Sequence, residues 1–177
     1  NKVLELIEAI NLFPFNKNKY EIIIHPQSLI HAVVKFVNGT TYFLYHLPSM
    51  KIPIANALFD NKLNYTKYFK EKNKKHFYEH DLEFFPADVK KFSTLALIPK
   101  INCDNSAPII INAANEIFVD EFLKNNILFD DIFTYLKLVL QDRNYIKTSN
   151  MSSNSIKSIY RIDNWSRNLA YKIIEKN

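Results

Sequence analysis

Between Glu21 and Leu58 the rhythm of apolar and polar positions changes three times. A short apolar run, Ile22-Ile23-Ile24, ends at His25-Pro26-Gln27-Ser28. Alternation then carries Ile30, Ala32, Val34 and Phe36 to Asn38-Gly39, and the chain returns from Thr40 to Leu47. Alternation on both sides of an Asn-Gly pair predicts a β-hairpin closed by a type I′ turn, because that turn needs φ > 0 at both central residues. Gly39 is the only glycine of the chain, so its place at the turn carries information. The segment Pro48 to Ala55 then leads into a helix. A strand beside the hairpin and a helix behind it predict a small sheet with one covered face.

The remaining pattern is helical. Asn1 to Phe13 carries Val3, Leu4, Ile7 and Ile10 at the 3.6-residue period and is stopped by Pro14. Pro108 to Lys124 is apolar over a broad face, through Ile110, Ala113, Ala114, Ile117, Val119 and Phe122, so it is expected to be buried. Asp130 or Asp131 caps a helix through Leu140 that turns Ile132, Tyr135, Leu136 and Val139 inward. A Ser/Asn-rich link, Arg143 to Ser155, precedes a last helix from Ile156 to Ile174. Asp88 is placed to cap a further helix carrying Phe92, Leu95 and Leu97 and ending near Pro99. The predicted fold is α+β: a small mixed sheet with its hairpin and covering helices, followed by an all-helical C-terminal bundle of three or four helices. The expected segments are 1–62 for the sheet domain, 63–83 for a lysine-rich connection, and 84–177 for the bundle.

Composition narrows the function classes. One cysteine, Cys103, excludes an intramolecular disulfide and a multi-cysteine zinc site. The single glycine excludes a dinucleotide-binding turn and a phosphate-cradling loop of the P-loop type. No apolar run approaches the length of a membrane span, and no charged-then-apolar leader is present, so a cytoplasmic protein is expected. The formal charge of +5 is spread through a lysine-rich, Asn/Ile/Phe/Tyr-rich composition that an AT-rich genome imposes, and it does not predict nucleic-acid binding. The chain starts with Asn1, not Met, and reads as part of something longer.

Chemistry is sparse. On the first helix Asn1, Lys2, Glu5 and Glu8 share one face, which by spacing alone is a solvated Lys–Glu surface pair. His25 and His31 flank the Pro26-Gln27-Ser28 corner. With no carboxylate at a useful spacing, His25 is read as a strand-end cap, Pro26 as fixing the corner and Ser28 as bonding the backbone. His46, His76 and His80 are assigned no role. Asn112 and Asn115 are read as buried amides serving neighbouring backbone, with Glu116 beside them.

Taken in order, these motifs resemble one family. His25-Pro26-Gln27-Ser28 followed by Ile30-His31 and the Asn-Gly hairpin, then P-x-M-x-x-P-I from Pro48 to Ile54, then Asn112 to Glu116 (NAANE), are similar to 1-deoxy-D-xylulose 5-phosphate reductoisomerase. The opening Asn1-Lys2-x-x-Glu5 resembles that family's Asn-Lys-Gly-Leu-Glu helix, and Asp163-x-Trp165-x-Arg167 its C-terminal helix. The resemblance spans essentially the whole chain.

It implies a homodimeric, NADPH- and divalent-metal-dependent oxidoreductase and isomerase. Such an enzyme converts a phosphosugar, 1-deoxy-D-xylulose 5-phosphate, into 2-C-methyl-D-erythritol 4-phosphate in non-mevalonate isoprenoid biosynthesis. This chain would be the later part of the central catalytic and dimerisation domain plus the C-terminal bundle. Residue by residue, the resemblance implies that Glu5 is a ligand of Mg²⁺ or Mn²⁺ and contributes to catalysis. It implies that Asn1 and Lys2 bind the substrate, Lys2 also serving catalysis as a fixed positive donor. The motifs at His25–Ser28, Asn112, Asn115 and Glu116 are scaffold.

Val3 stands where the family carries glycine, Ser49 where it carries aspartate, and Tyr42-Phe43-Leu44-Tyr45 replaces a glycine-bearing strand. The NADPH domain, two further metal carboxylates, the phosphate-binding serines and a lid belong to the part that precedes Asn1 in the family. The segment alone is therefore expected to be inactive. The alternative is a decayed remnant that keeps only a self-associating structural module.

Overall fold

The computed structural model describes residues 2–13, 15–64, 67, 81–100 and 105–176. Two compact units emerge: Asn1–Ile22 with Asp88–Asn177, and Ile23–Ala87. This division departs from the expected segments 1–62, 63–83 and 84–177. The first helix joins the helical unit because Val3 enters its core, and Phe85–Pro86 stays with the sheet unit because it pairs there. Most of the lysine-rich connection, with Pro14, His76, His80 and Cys103, lies outside the described residues.

In the sheet unit, β1 (Ile23–Ile24) pairs antiparallel with β4 (Phe85–Pro86), and β2 (Ile30–Lys35) pairs antiparallel with β3 (Thr41–Tyr45). Helix α2 (Lys51–Leu58) follows. The predicted hairpin is there, but its turn is of another type. Gly39 has φ +88° while Asn38 does not have positive φ. The Gly39 N–H donates to Phe36 O at 3.1 Å, and the Phe36 N–H to Thr40 O at 2.9 Å. That is a type I turn followed by a glycine bulge, the usual three-residue hairpin loop. Asn38 contributes through its side chain, whose Oδ1 accepts from the Thr40 N–H at 3.0 Å and the Thr40 hydroxyl at 2.7 Å.

The face marked by the alternation is open. Register places Ala32 opposite Leu44 and Val34 opposite Tyr42, so these four side chains share a face. Val34, Leu44 and Tyr42 are exposed, as is Phe36, whose ring meets that of Tyr42 edge-on. Val33 and Phe43 lie on the opposite face, where Phe43 approaches Phe84 at 6.1 Å between ring centroids. The alternation in β2 was correctly strand-like, but within this unit the helix does not cover the face it marks.

The helical unit is built from α1 (Lys2–Leu12), a 3₁₀ segment (Ser93–Lys100), α3 (Ala107–Leu123), α4 (Phe129–Gln141), a short α5 (Tyr145–Ser149) and α6 (Ile156–Ile174). Helix α3 is the centre. Ala107, Ile110, Ala113, Ala114 and Phe118 are fully buried, and α4 and α6 pack on it through Tyr135, Leu136 and Val139 and through Ile162, Ala170 and Ile173. Pro108 sits in the first turn, where its missing N–H costs nothing. Ser106 anchors that helix start to the supposed link: its N–H donates to Ser149 O at 2.8 Å and its hydroxyl to Met151 O at 2.7 Å. The Arg143–Ser155 stretch is thus partly helical and stitched to the core.

Asp131 lies at the third position of α4 and accepts from the Leu128 N–H at 2.8 Å, while Ser155 and Ser158 exchange backbone bonds at the start of α6. Asp88 caps a turn instead of an α-helix, accepting from the Lys90 N–H at 2.8 Å. The segment beyond it winds as 3₁₀ with Pro99 inside. Where glycine would ordinarily take positive φ, this chain uses Asn61 and Asn125, each just past a helix end. Among the described residues no helix is long and apolar enough to cross a membrane.

Candidate functional site

Helix α1 carries the site residues inferred from sequence. Val3 is 8% exposed in the helical core, and Leu4, Ile7 and Ile10 are half-buried behind it. The opposite face bears Lys2 and Glu5. Lys2 Nζ donates to Glu5 Oε2 at 2.5 Å, with both side chains about half open to solvent at 58% and 43%. A pair this exposed contributes only about 0–1 kcal/mol to folding, so it costs little to open when a ligand competes for either partner. Asn1 lies outside the described residues. The far end of α1 is tied down by Tyr20, whose hydroxyl lies 3.0 Å from Phe13 O and 3.2 Å from Ala9 O.

Glu5 supplies the hard oxygen donor that Mg²⁺ or Mn²⁺ prefers. Among the described residues no group of three or more His, Cys, Asp or Glu side chains could hold a metal ion. Glu5 is thus suited to be one oxygen ligand of several, and further anionic ligands would have to come from outside the described residues.

The His-Pro-Gln-Ser corner is a structural clamp. His25 Nδ1 lies 2.8 Å from Glu83 O, and its ring stacks on Phe84 at 4.9 Å. Gln27 and Glu83 bond twice: the Gln27 amide donates to Glu83 Oε2 at 2.7 Å, and the Glu83 N–H to Gln27 Oε1 at 3.3 Å. The Ser28 N–H closes the turn on His25 O at 3.0 Å, with Ser28 at φ +53°. Among the described residues, His25 Nε2 is buried without a hydrogen-bond partner. His46, to which the sequence assigned nothing, stacks on His31 at 3.7 Å, and His31 Nε2 lies 3.0 Å from His46 O. No spacing rule would have found these pairs, since they form across 15 to 58 residues of chain.

The NAANE and Asp-x-Trp-x-Arg motifs meet. Arg167 of α6 donates to Glu116 Oε2 of α3 at 2.5 Å and to Asp163 Oδ2 at 2.8 Å, and the Asn112 amide reaches Glu116 Oε1 at 3.1 Å. The two carboxylates, Asp163 first, push the Arg167 guanidinium further up, so its charge is permanent. Asn112 is exposed, which corrects its reading as a buried amide: it belongs to a surface network joining two helices. The small Ala113 and Ala114 on the inner side let α6 come close, and Ser166 bonds Ile110 O at 2.6 Å between the helices.

Known proteins bear on this arrangement directly. The DXP reductoisomerase C-terminal domain matches residues 46–169. Relatives described as 1-deoxy-D-xylulose 5-phosphate reductoisomerase include that of Wolbachia pipientis from Culex pipiens, 38% identical over 99% of this chain and 44% of its own length. Another, from Psychrobacter cryohalolentis, is 36% identical over 99% of this chain and 43% of its own length. Among solved structures, the Zymomonas mobilis enzyme in complex with NADPH superposes with a TM-score of 0.83 at 30% identity, over 100% of this chain and 45% of its own. A DOX-P reductoisomerase in complex with NADPH, fosmidomycin and magnesium gives a TM-score of 0.83 at 31% identity, over 99% of this chain and 43% of its own. The chain thus spans less than half the length of the relatives it matches, and it belongs to the DXP reductoisomerase family, of which it carries the C-terminal domain.

Proposed function

We propose that this chain is the C-terminal portion of a reductoisomerase that converts 1-deoxy-D-xylulose 5-phosphate to 2-C-methyl-D-erythritol 4-phosphate with NADPH and Mg²⁺ or Mn²⁺. The observation that carries this reading is the agreement of fold along the whole chain with a relative holding NADPH, fosmidomycin and magnesium. A divalent cation supplies polarisation of substrate oxygens, and NADPH supplies hydride.

The roles of this chain's own residues follow from α1. Glu5 is one oxygen ligand of the cation, held on a helix and hence stiff. In the unliganded chain Lys2 neutralises Glu5. Glu5 would hold the cation, and Lys2, one helical turn away on the same face, would serve substrate oxygen as a positive donor beside developing charge. Asn1 is a second substrate donor. The clamp at His25–Gln27 and the network at Glu116–Arg167 hold the two units in shape without touching reactants. Residues of this chain bind no part of NADPH in this reading. The exposed face bearing Val34, Phe36, Tyr42 and Leu44 is the surface that joins two copies into a homodimer, and the protein works in the cytoplasm without nucleic acid or membrane.

The test is product identity. The full-length protein, given 1-deoxy-D-xylulose 5-phosphate, NADPH and Mn²⁺, is expected to yield 2-C-methyl-D-erythritol 4-phosphate, identified by phosphorus and carbon NMR. A folded full-length protein that leaves the substrate unchanged would favour the decayed remnant instead.

A further inference from the structure

Helix α1 is not a free arm. Its only buried side chain is Val3, which enters the same apolar cluster as Leu97, Ile110, Ile111 and Phe118, with Ile7 packed one turn behind it. Val3, Ile7 and Ile10 fall within about 60° of one another around the helix axis, and Glu5 lies about 200° from Val3. The side chain that fixes the rotation of the helix is therefore opposite the one that would meet the cation. Among the described residues α1 packs chiefly against α3 and the 3₁₀ segment, both in the helical unit. Tyr20 holds the far end by its last carbonyls but leaves the first turn to Val3.

We propose that Val3 is the positioning residue for Glu5: its burial in the helical unit sets the rotation of α1 and so the direction of the Glu5 carboxylate. This inference rests on the reading of Glu5 as a metal ligand. A shortened side chain at position 3 leaves a gap, which α1 closes by rolling or tilting, since close-packed interiors do not keep voids at no cost. The carboxylate one half-turn away swings with it. A bulk change on the inner face of the helix thereby becomes an aiming error on the outer face. The C-terminal helices then contribute to the metal site without supplying a ligand.

The experiment is Mn²⁺ titration of the full-length protein by electron paramagnetic resonance, which counts free ion independently of turnover, with melting temperatures measured alongside. The Glu5→Gln and Val3→Ala variants are each expected to weaken Mn²⁺ binding by about tenfold, the scale on which groups supporting a metal ligand act. Val3→Ile is expected to retain wild-type affinity. Val139→Ala removes the same atoms from the same core on α4, and is expected to lower the melting temperature while leaving Mn²⁺ affinity unchanged. If Val3→Ala does not fold, Ile7→Val on the same inner face is expected to show a smaller loss in the same direction. Equal affinities in Val3→Ala and wild type, or equal losses in Val3→Ala and Val139→Ala, would overturn the positioning role while leaving Glu5 a ligand. An unchanged Glu5→Gln would overturn both.

Discussion

The two units of this chain are built from similar proportions of apolar sequence and finish in opposite conditions. The helical unit holds a closed core: α3 is wrapped by α4, α6 and α1, and Phe118, Ile110, Val139 and Ile162 are fully buried there. The hairpin unit leaves Val34, Phe36, Tyr42, Phe43 and Leu44 in the open, with Val37 fully exposed at the turn. Among its described residues, Leu29 and Ala55 are the buried apolar ones. An apolar alternation in sequence thus states that a face must be covered, and leaves open what covers it. In the helical unit the cover lies in the same unit. In the hairpin unit the described residues leave Val34, Phe36, Tyr42 and Leu44 uncovered on one face, and an exposed apolar face of this kind marks an interaction surface.

The contrast can be broken most forcefully in the helical core. Phe118→Ala deletes a ring that is fully buried and meets Tyr135 edge-on, and should cost about 3–5 kcal/mol. Chemical denaturation would read this as a shift of the midpoint. A comparable truncation on the hairpin, Phe43→Ala, is expected to cost less than half as much, because its ring is half exposed to begin with. Equal costs would mean that the hairpin is more tightly covered than its packing indicates.

A smaller effect is expected at the network that ties α3 to α6. Arg167→Ala should cost about 1–2 kcal/mol, discounted from the value of a buried charged bond because Glu116 is half exposed. Arg167→Lys should recover only part, since an ammonium cannot reach Glu116 and Asp163 with the fork of a guanidinium. Thermal melts of the three proteins would order them.

Smaller still in stability, but larger in association, is the hairpin face. Val34→Thr with Leu44→Thr should change folding by no more than about 0.5 kcal/mol per site, as exposed substitutions do. In the proposed homodimer the same pair should shift the mass in sedimentation from dimer towards monomer. A shift in stability without a shift in mass would assign the face to packing within the chain.

The smallest effect is one of pH. Burial, then the charge of Asp131, raises the Tyr135 phenol above its ordinary value of 10. The native chain keeps a proton that the unfolded chain gives up, so this stability is complete below pH 10 and is lost as pH rises past it. Tyr135→Phe should therefore lose less stability than wild type between about pH 9 and about pH 11.

How much of this was readable in the residues depended on range. Local signals held. The periodicities of α1, α3, α4 and α6 put each helix within a residue or two of its place, and Asn38-Gly39 marked the hairpin. Signals that need a partner distant in sequence did not. Ile24 and Phe85 pair across 61 residues, and two residues of strand are too short to declare themselves by alternation. Asp88 could not be told from a helix cap, because an Asx turn and an N-cap use the same oxygen in the same way.

The asparagines of NAANE looked buried because their neighbours are, yet the helix turns Asn112 outward onto Glu116. For the site, Lys2 and Glu5 were placed on one face by spacing and are found there, ion-paired; their chemistry came from the family resemblance. Val3, where the resemblance places glycine, is now seen to fill core volume.

Glu5, on the outward face of α1, is proposed to serve a cation, with the helical unit behind it holding its direction without supplying a ligand. The measurement is substrate-dependent NADPH oxidation by the full-length protein, followed optically with Mn²⁺, for wild type, Glu5→Gln and Arg167→Lys at a temperature where all three are folded. Glu5→Gln is expected to lose at least about 100-fold in rate, the equivalent of some 3 kcal/mol in the barrier, while Arg167→Lys stays within about threefold of wild type. Wild-type turnover undiminished in Glu5→Gln would contradict that role and return Lys2–Glu5 to an ordinary surface ion pair.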